Sequence, residues 1–302
     1  MRVGVIGLGK LGKIHARIYQ ELPGSELKAL CDINPEEREK LPSLKGIPFY
    51  TYYPDLLKER VEAVSIATPT TTHFKIAKFF LEKGIACLVE KPITSNLKEA
   101  QLLLQLARKN KSFLLVGMVE KFNPAYQKIR RLIKAPKFIE VHRLSPYPQR
   151  SLDISVVLDL MIHDLDIILE LVRSPIKKVE ATATEVLSKK YDIANARLYF
   201  KNLCLANITS SRVSEERLRK IRIFLKSSYI SLDFAEQKAK ILKKINNKIK
   251  KEELVLPKEE PLRKEIEYFL KNTKSKNPNY SHTQKAIASL DLALKIEKTV
   301  KK

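Results

Sequence analysis

The chain contains no tryptophan, three methionines and three cysteines in 302 residues. Cys31, Cys87 and Cys204 stand far apart, odd in number and without Cys-x-x-Cys spacing. Neither a disulfide framework nor a zinc knuckle is therefore expected, and a reducing compartment fits. No apolar run approaches the ~20 residues needed to span a bilayer. The short apolar start from Val3 to Leu8 lacks the longer apolar region and cleavage site of a secretory signal. These absences lead us to expect a cytoplasmic chain with no membrane partner. Internal repeats and long flexible linkers are missing too.

Acidic residues are the remaining shortage, with 34 Asp and Glu against 57 Lys and Arg, a net charge of +23. Such a balance suits nucleic acid, an anionic surface or an anionic small substrate. The lysines are densest in the last third, at Lys238, Lys240, Lys243 and Lys244 and again at Lys248, Lys250 and Lys251. There they alternate with apolar residues, not with aromatic stacking platforms. A solvated strand or helix face is the plainer reading, and nucleic acid is not favoured. Heavy Lys and Glu use without Trp also suits a heat-adapted organism.

What is present is enough chain for two domains, since single domains hold ~100–200 residues. Arg2 to Gly7 reads as a short buried strand, and Lys10 to Leu22 continues at helical spacing. Glu26 to Asp32 is a second strand, closing a βαβ unit. Strands at 62–68, 85–90 and 112–116 then alternate with helical patterns at 71–82 and 96–109, which implies a parallel, doubly wound sheet. After Gly117 the pattern changes. A helix near 124–133, a strand at 138–144 and a helix at 156–172 precede strands at 179–187, 194–200, 203–211, 220–226 and 229–234. The alternation of apolar and polar residues in these strands predicts a large, mostly antiparallel sheet with one covered face. Helices at 262–272 and 281–300 close the chain. We therefore expect an α/β dinucleotide-binding domain over 1–119 and an α+β domain over 120–302, with the last helix able to pack back on the first domain.

The first domain opens with Gly7-Leu8-Gly9-Lys10-Leu11-Gly12. This spacing gives a tight turn at Gly7, close backbone approach to a pyrophosphate at Gly9 and close helix packing at Gly12. The helix N-terminus then faces the phosphates. Asp32, twenty positions past Gly12, lies where a carboxylate accepts from ribose hydroxyls and repels a 2′-phosphate, which favours NAD over NADP. Asp32 also reads as a turn carboxylate before Asn34-Pro35. Thr68, Pro69 and His73 follow the next central strand, where ligand-contacting loops gather; His73 by itself reads first as a helix-start residue. Glu90-Lys91-Pro92 ends the following strand and offers an ammonium that could steady a developing alkoxide. Asp159 and His163, four apart on one helix face, can form a general-base pair, a buried structural pair or part of a metal site.

These motifs occur in the order found in the Gfo/Idh/MocA oxidoreductases, which the chain resembles over nearly its whole length. The resemblance implies a Rossmann domain, a C-terminal domain whose open sheet forms a homo-oligomer (dimer or tetramer), NAD as cofactor, and Lys91, Asp159 and His163 as catalytic residues. It also implies that Glu90 and Lys91 contact the cofactor. A narrower likeness lies in 117–125 and 157–166, which resemble members that oxidise the 3-hydroxyl of UDP-N-acetylhexosamines. Those relatives commonly carry His and Arg where this chain has Met118 and Lys121. Lys121, Asn123, Arg143, Gln149 and Arg150 are candidate donors to a sugar or UDP-sugar substrate, or solvated surface residues. Two other functions stay open: an inositol or free-sugar dehydrogenase, and a non-catalytic NAD-sensing or nucleic-acid-associated protein.

Overall fold

A computed structural model describes residues 1–147, 152–246 and 248–300. The chain divides into two compact units, one of Met1–Met118 with Leu262–Ile287 and one of Val119–Pro261 with Ala288–Lys302.

The first unit is built on six parallel strands. They are β1 (Arg2–Ile6), β2 (Glu26–Cys31), β3 (Phe49–Tyr50), β4 (Ala63–Ile66), β5 (Ala86–Glu90) and β6 (Leu114–Gly117), in the order β3-β2-β1-β4-β5-β6. Strands β4, β5 and β6 are buried along their whole length, as their unbroken apolar runs require when helices cover both faces of a sheet. The helices are α1 (Lys10–Glu21), α2 (Thr70–Leu81) and α3 (Leu97–Lys109). Asn96 caps α3 by accepting from the Glu99 amide, whereas α1 and α2 start without a side-chain cap. The strand order reverses between β1 and β4, and in open α/β sheets the ligand crevice lies outside the carboxyl ends of the strands at such a switch point.

The C-terminal segment of this unit comprises α6 (Pro261–Thr273) and the start of α7 (Ser281–Val300). Phe269 stacks on Phe113 with ring centroids 5.9 Å apart. The Tyr280 hydroxyl donates to the carbonyls of Ala107 and Ser112. Residues 262–287 thus tie onto the edge near β6 through Phe269 and Tyr268 against Phe113, through Tyr280, and through the Thr283 hydroxyl, which donates to the Leu114 carbonyl.

The second unit holds an eight-stranded sheet of β7 (Phe138–Leu144), β8 (Ile176–Thr184), β9 (Ile193–Phe200), β10 (Leu205–Ser211), β11 (Leu218–Phe224), β12 (Ser228–Asp233), β13 (Lys238–Ile245) and β14 (Lys248–Val255). The order is β14-β13-β12-β11-β7-β10-β9-β8, antiparallel throughout except for the β7–β10 pair. The lysine-rich segment read as a solvated face is the hairpin of β13 and β14, whose last strand is exposed at seven of eight positions. Charged side chains on such an edge discourage pairing with another strand. Helix α4 (Pro124–Ile129) precedes β7, and α5 (Ile162–Val172) follows it. One continuous helix was expected over 156–172. The residues Val157–Met161 instead form a π-helical turn ahead of α5, a local widening often seen at functional sites.

Among the described residues no helix is long and apolar enough to cross a membrane.

Candidate active site

In the first unit, three loops follow the carboxyl ends of β1, β4 and β5. Gly7 sits at φ +84°, and a Cβ there would lie 2.6 Å from the Ala67 carbonyl oxygen, so the glycine both allows the turn and lets two loops touch. At Gly12 a Cβ would come within 1.7 Å of the Gly7 carbonyl oxygen, which no rearrangement of a side chain could relieve. Gly9 differs, since a Cβ built there meets nothing within 4 Å. Protein packing does not require glycine at that position. The backbone beside the uncapped N-terminus of α1 is left open for a ligand to approach.

Asp32 is fixed by two backbone donors. Its Oδ2 accepts from the Leu8 amide at 2.6 Å, inside the glycine loop, and Oδ1 accepts from the Asn34 amide at 2.9 Å. Asn34 in turn accepts from the Glu36 amide, so the turn reading and the ligand reading of Asp32 describe the same geometry. The residues present therefore fit a dinucleotide: an amide-rich loop, a helix start for the pyrophosphate and a held carboxylate for a ribose. Lys10 is exposed at the start of α1 and Leu11 half-buried beside it.

Thr68 and Pro69 form the loop before α2, where the Thr72 hydroxyl donates to Thr68 Oγ1 at 2.7 Å and lies 2.8 Å from the Pro69 carbonyl. His73 is buried in this corner, its Nε2 2.8 Å from the Thr68 carbonyl and its Nδ1 2.9 Å from the Pro92 carbonyl. It ties the loop after β4 to the loop after β5. Burial lowers its pKa and outweighs the two carbonyls, which pull the other way. Lys91 is half-buried immediately after β5, and its peptide bond to Pro92 is cis. Glu90, just before it, lies 3.0 Å from the His15 ring.

In the second unit, Asp159 lies in the π-helical turn and His163 in the first turn of α5; both are buried. The turn is anchored at its start. Asp159 donates its amide to the Ser155 carbonyl at 2.9 Å, Val156 to Tyr191 at 2.8 Å, and the Ser155 hydroxyl hydrogen-bonds Glu297 in α7.

A buried pair missed in the sequence holds the approach to this turn. Arg212 and Asp192 have no exposed surface. Arg212 Nε donates to Asp192 Oδ1 at 2.8 Å, while Nη1 reaches the Ile154 carbonyl at 2.9 Å. Asp192 also accepts from the amides of Val186, Leu187 and Ser188 and from the Ser188 hydroxyl. Burial would raise its pKa, yet these donors and Arg212 leave it well below the usual carboxylate range. The pair joins residues 20 apart, one just before β9 and one just after β10, and no local pattern announces it.

The candidate substrate donors are engaged within the same unit. Lys121 is 2% exposed, with Nζ 2.8 Å from Asp166 and 3.5 Å from Glu170, which also meets Arg130. Arg143 makes a fork to Asp164, at 2.7 and 2.9 Å, and reaches Glu120 at 2.8 Å. Burial opposes the Arg143 charge, but Asp164 and Glu120 prevail and raise its pKa. Asn123 caps α4, accepting from the Ala125 and Tyr126 amides and donating to the Phe234 carbonyl. These residues were read from sequence as donors or surface groups; the structure makes each of them a buried tie. Gln149 and Arg150 lie outside the described residues. No group of three or more His, Cys, Asp or Glu able to hold a metal occurs among the described residues.

Two family profiles match in tandem: an oxidoreductase family with an NAD-binding Rossmann fold over residues 1–118, and the Gfo/Idh/MocA C-terminal domain over 126–230. The chain belongs to the Gfo/Idh/MocA oxidoreductase family. Its cofactor is NAD, in keeping with Asp32 and the loop around Gly9. UDP-N-acetylglucosamine 3-dehydrogenase of Acidithiobacillus ferrooxidans is 39% identical over 78% of this chain and 74% of its own length. The solved structure of that enzyme superimposes with a TM-score of 0.92, at 36% identity, over 99% of this chain and 97% of the other. Inositol 2-dehydrogenase of Rhizobium meliloti is 28% identical over 63% of this chain and 60% of its own. Levoglucosan dehydrogenase in complex with NADH has a TM-score of 0.88 at 16% identity and full coverage of this chain, a likeness of fold.

Proposed function

We propose that this oxidoreductase oxidises a secondary hydroxyl of a nucleotide sugar, the 3-hydroxyl of a UDP-N-acetylhexosamine, with Lys91, Asp159 and His163 as its catalytic residues. The observation that carries this reading is the likeness to UDP-N-acetylglucosamine 3-dehydrogenase across 99% of the chain. Three chemistry-bearing positions accompany it: Lys91 directly follows β5, and Asp159 and His163 lie four apart where the π-helical turn meets α5. In the proposed reaction His163 takes the hydroxyl proton, Lys91 steadies the oxygen as charge develops on it, and Asp159 orients the imidazole. Bound NAD supplies the acceptor for the hydride. Lys121, Asn123 and Arg143 contribute by holding the elements around the substrate in place.

A thermal-shift series tests this reading, because a ligand stabilises in proportion to the logarithm of its concentration over Kd. NAD together with UDP-N-acetylglucosamine is expected to raise the midpoint most, NADP least. Stabilisation by myo-inositol or free sugar with no response to UDP-sugars would move the substrate to the inositol dehydrogenase class.

The partner we infer for the outer face of the large sheet is a second copy of the chain. On that face Leu242, Tyr229, Phe224, Phe138, Leu205 and Tyr199 stand in one row across six strands. Phe224 lies 5.5 Å from Phe138 and 5.0 Å from Tyr229, centroid to centroid. Such a row can stack on its own symmetry mate in a two-fold interface, and light scattering reads the resulting dimer or tetramer directly. The cytoplasm remains the compartment we propose. All three cysteines are free and buried, and burial pushes Cys31 up to about 12 and Cys204 up to about 11, away from thiolate chemistry.

A further inference from the structure

Four polar side chains lie in a hydrogen-bonded row inside the first unit. His15 and Tyr19 come from one face of α1, Ser65 from β4 and Glu90 from the end of β5; the first three have no exposed surface and Glu90 keeps 8%. The Tyr19 hydroxyl is 2.7 Å from Ser65 Oγ, Ser65 Oγ is 3.2 Å from His15 Nδ1, and His15 Nε2 is 3.0 Å from Glu90 Oε1. Burying such groups costs stability unless each finds a partner. One proton arrangement satisfies them with a neutral imidazole: Tyr19 donates to Ser65, Ser65 to Nδ1, and the Nε2 proton goes to Glu90. Burial raises the Tyr19 pKa well above the usual phenol range, which keeps it a donor.

Every donor in the row thus points toward the Glu90 carboxylate. Burial would raise Glu90, but His15 first, then Lys91 and His73, leave it below the usual carboxylate range. The opposite side is closed by Gly117, which pairs with Glu90 across β5 and β6. A Cβ on Gly117 would stand 3.0 Å from Glu90 Oε2 and 3.1 Å from Oε1. The carboxylate is therefore gripped between an imidazole and a glycine backbone, one residue before Lys91. The charged and titratable groups facing this row are Glu265 of α6, which acts on Tyr19, and His73 of α2 and Lys91, which act on Glu90.

We propose that His15 is a positioning residue: through Glu90 it fixes the backbone corner that carries Lys91, so that the helix opening at the glycine loop and the lysine corner after β5 act as one piece. The proposal rests on the role given above to Lys91. Without the His15 donor the Glu90 carboxylate loses its partner on α1, and the corner one residue on, which carries Lys91, loses that tie to the helix.

The test uses three variants of the full chain. His15→Leu removes the donor; His15→Gln keeps an amide N–H near the Nε2 position; Gly117→Ala crowds the carboxylate without removing any partner. Two readouts are taken. Competitive acetylation of the Lys91 amine, followed by mass spectrometry against exposed Lys109, needs no substrate; kcat and KM are measured with NAD and UDP-N-acetylglucosamine. In His15→Leu and Gly117→Ala, Lys91 labelling is expected to rise about threefold or more, as an amine on a corner no longer held in place becomes more accessible. In the same variants kcat is expected to fall about tenfold or more while KM for NAD stays within about twofold, a split that misplacement of a reacting group produces. His15→Gln is expected near wild type in both. Unchanged Lys91 labelling in His15→Leu and Gly117→Ala, or a His15→Gln protein as impaired as His15→Leu, would overturn the proposal. If His15→Leu does not fold, Gly117→Ala decides alone. Full turnover by Lys91→Ala would overturn the role of Lys91 itself, whatever the labelling shows.

Discussion

The two units position their functional residues by different means. In the first, backbone does most of the work: Gly7 and Gly12 let loop and helix approach, the start of α1 presents its amides, and Asp32 is held by the Leu8 and Asn34 amides. In the second, buried charges do it. Arg143 with Asp164 and Glu120, Lys121 with Asp166 and Glu170, and Arg212 with Asp192 cross-link the strands and helices around the turn carrying Asp159. A backbone site tolerates changes of side chain but not an added Cβ, whereas an ion-paired site fails when either partner is removed alone.

The largest effect on stability should come from breaking a buried pair. Arg212→Ala leaves Asp192 charged and unpaired in a site with no exposed surface, and is expected to cost about 3–5 kcal/mol by denaturant unfolding. A loss under about 1 kcal/mol would mean that the backbone amides at 186–188 suffice to hold Asp192. Gly12→Ala should come next, at about 3 kcal/mol or more, because the new methyl meets backbone and not a movable side chain. The same unfolding measurement applies, with lost NAD binding as a second readout.

pH separates the regions further. The folded pKa of Asp192 is depressed, so its contribution is fully present above the unfolded value of about 3.9 and is lost as pH falls through the folded value. Asp192→Asn is expected to be less stable at neutral pH, with a flatter decline below about pH 4. An acid limb as steep as that of the wild type would assign the acid loss to other carboxylates.

The smallest effect on stability should be the most telling about the backbone site. Gly9→Ala meets no protein atom within 4 Å, so unfolding should move by less than about 0.5 kcal/mol, as for a neutral surface change. NAD affinity should nevertheless fall about tenfold or more, or 1.4 kcal/mol, by calorimetric titration. Unaltered affinity would remove the pyrophosphate from this loop.

This contrast also accounts for what could be read in the sequence. The glycine loop, Asp32, the β5 end with Lys91, the parallel sheet and most strand positions of the second sheet were legible, because each depends on residues near one another in the chain. The hairpin of β13 and β14 was not assigned, since lysines alternating with apolar residues suit an exposed strand and a helix face alike. The π-helical turn at Val157–Met161 was read as α-helix because its apolar spacing fits either. By residue type Lys121, Asn123 and Arg143 suit substrate donors and solvated surface residues alike. Their partners come from 21 to 111 residues away, at Asp164, Asp166 and Phe234, and only the folded chain brings them together. His15 carried the same difficulty, with Glu90 lying 75 residues along.

The most direct test of the central claim is NADH formation measured with UDP-N-acetylglucosamine, free N-acetylglucosamine and myo-inositol, for the wild type and for His163→Ala and Lys91→Ala. Turnover of the UDP-sugar alone is expected, reduced about 10²- to 10⁴-fold in each variant while NAD still binds, the range general acid–base groups supply. Near-wild-type turnover in His163→Ala, or preference for myo-inositol over the UDP-sugar, would contradict it.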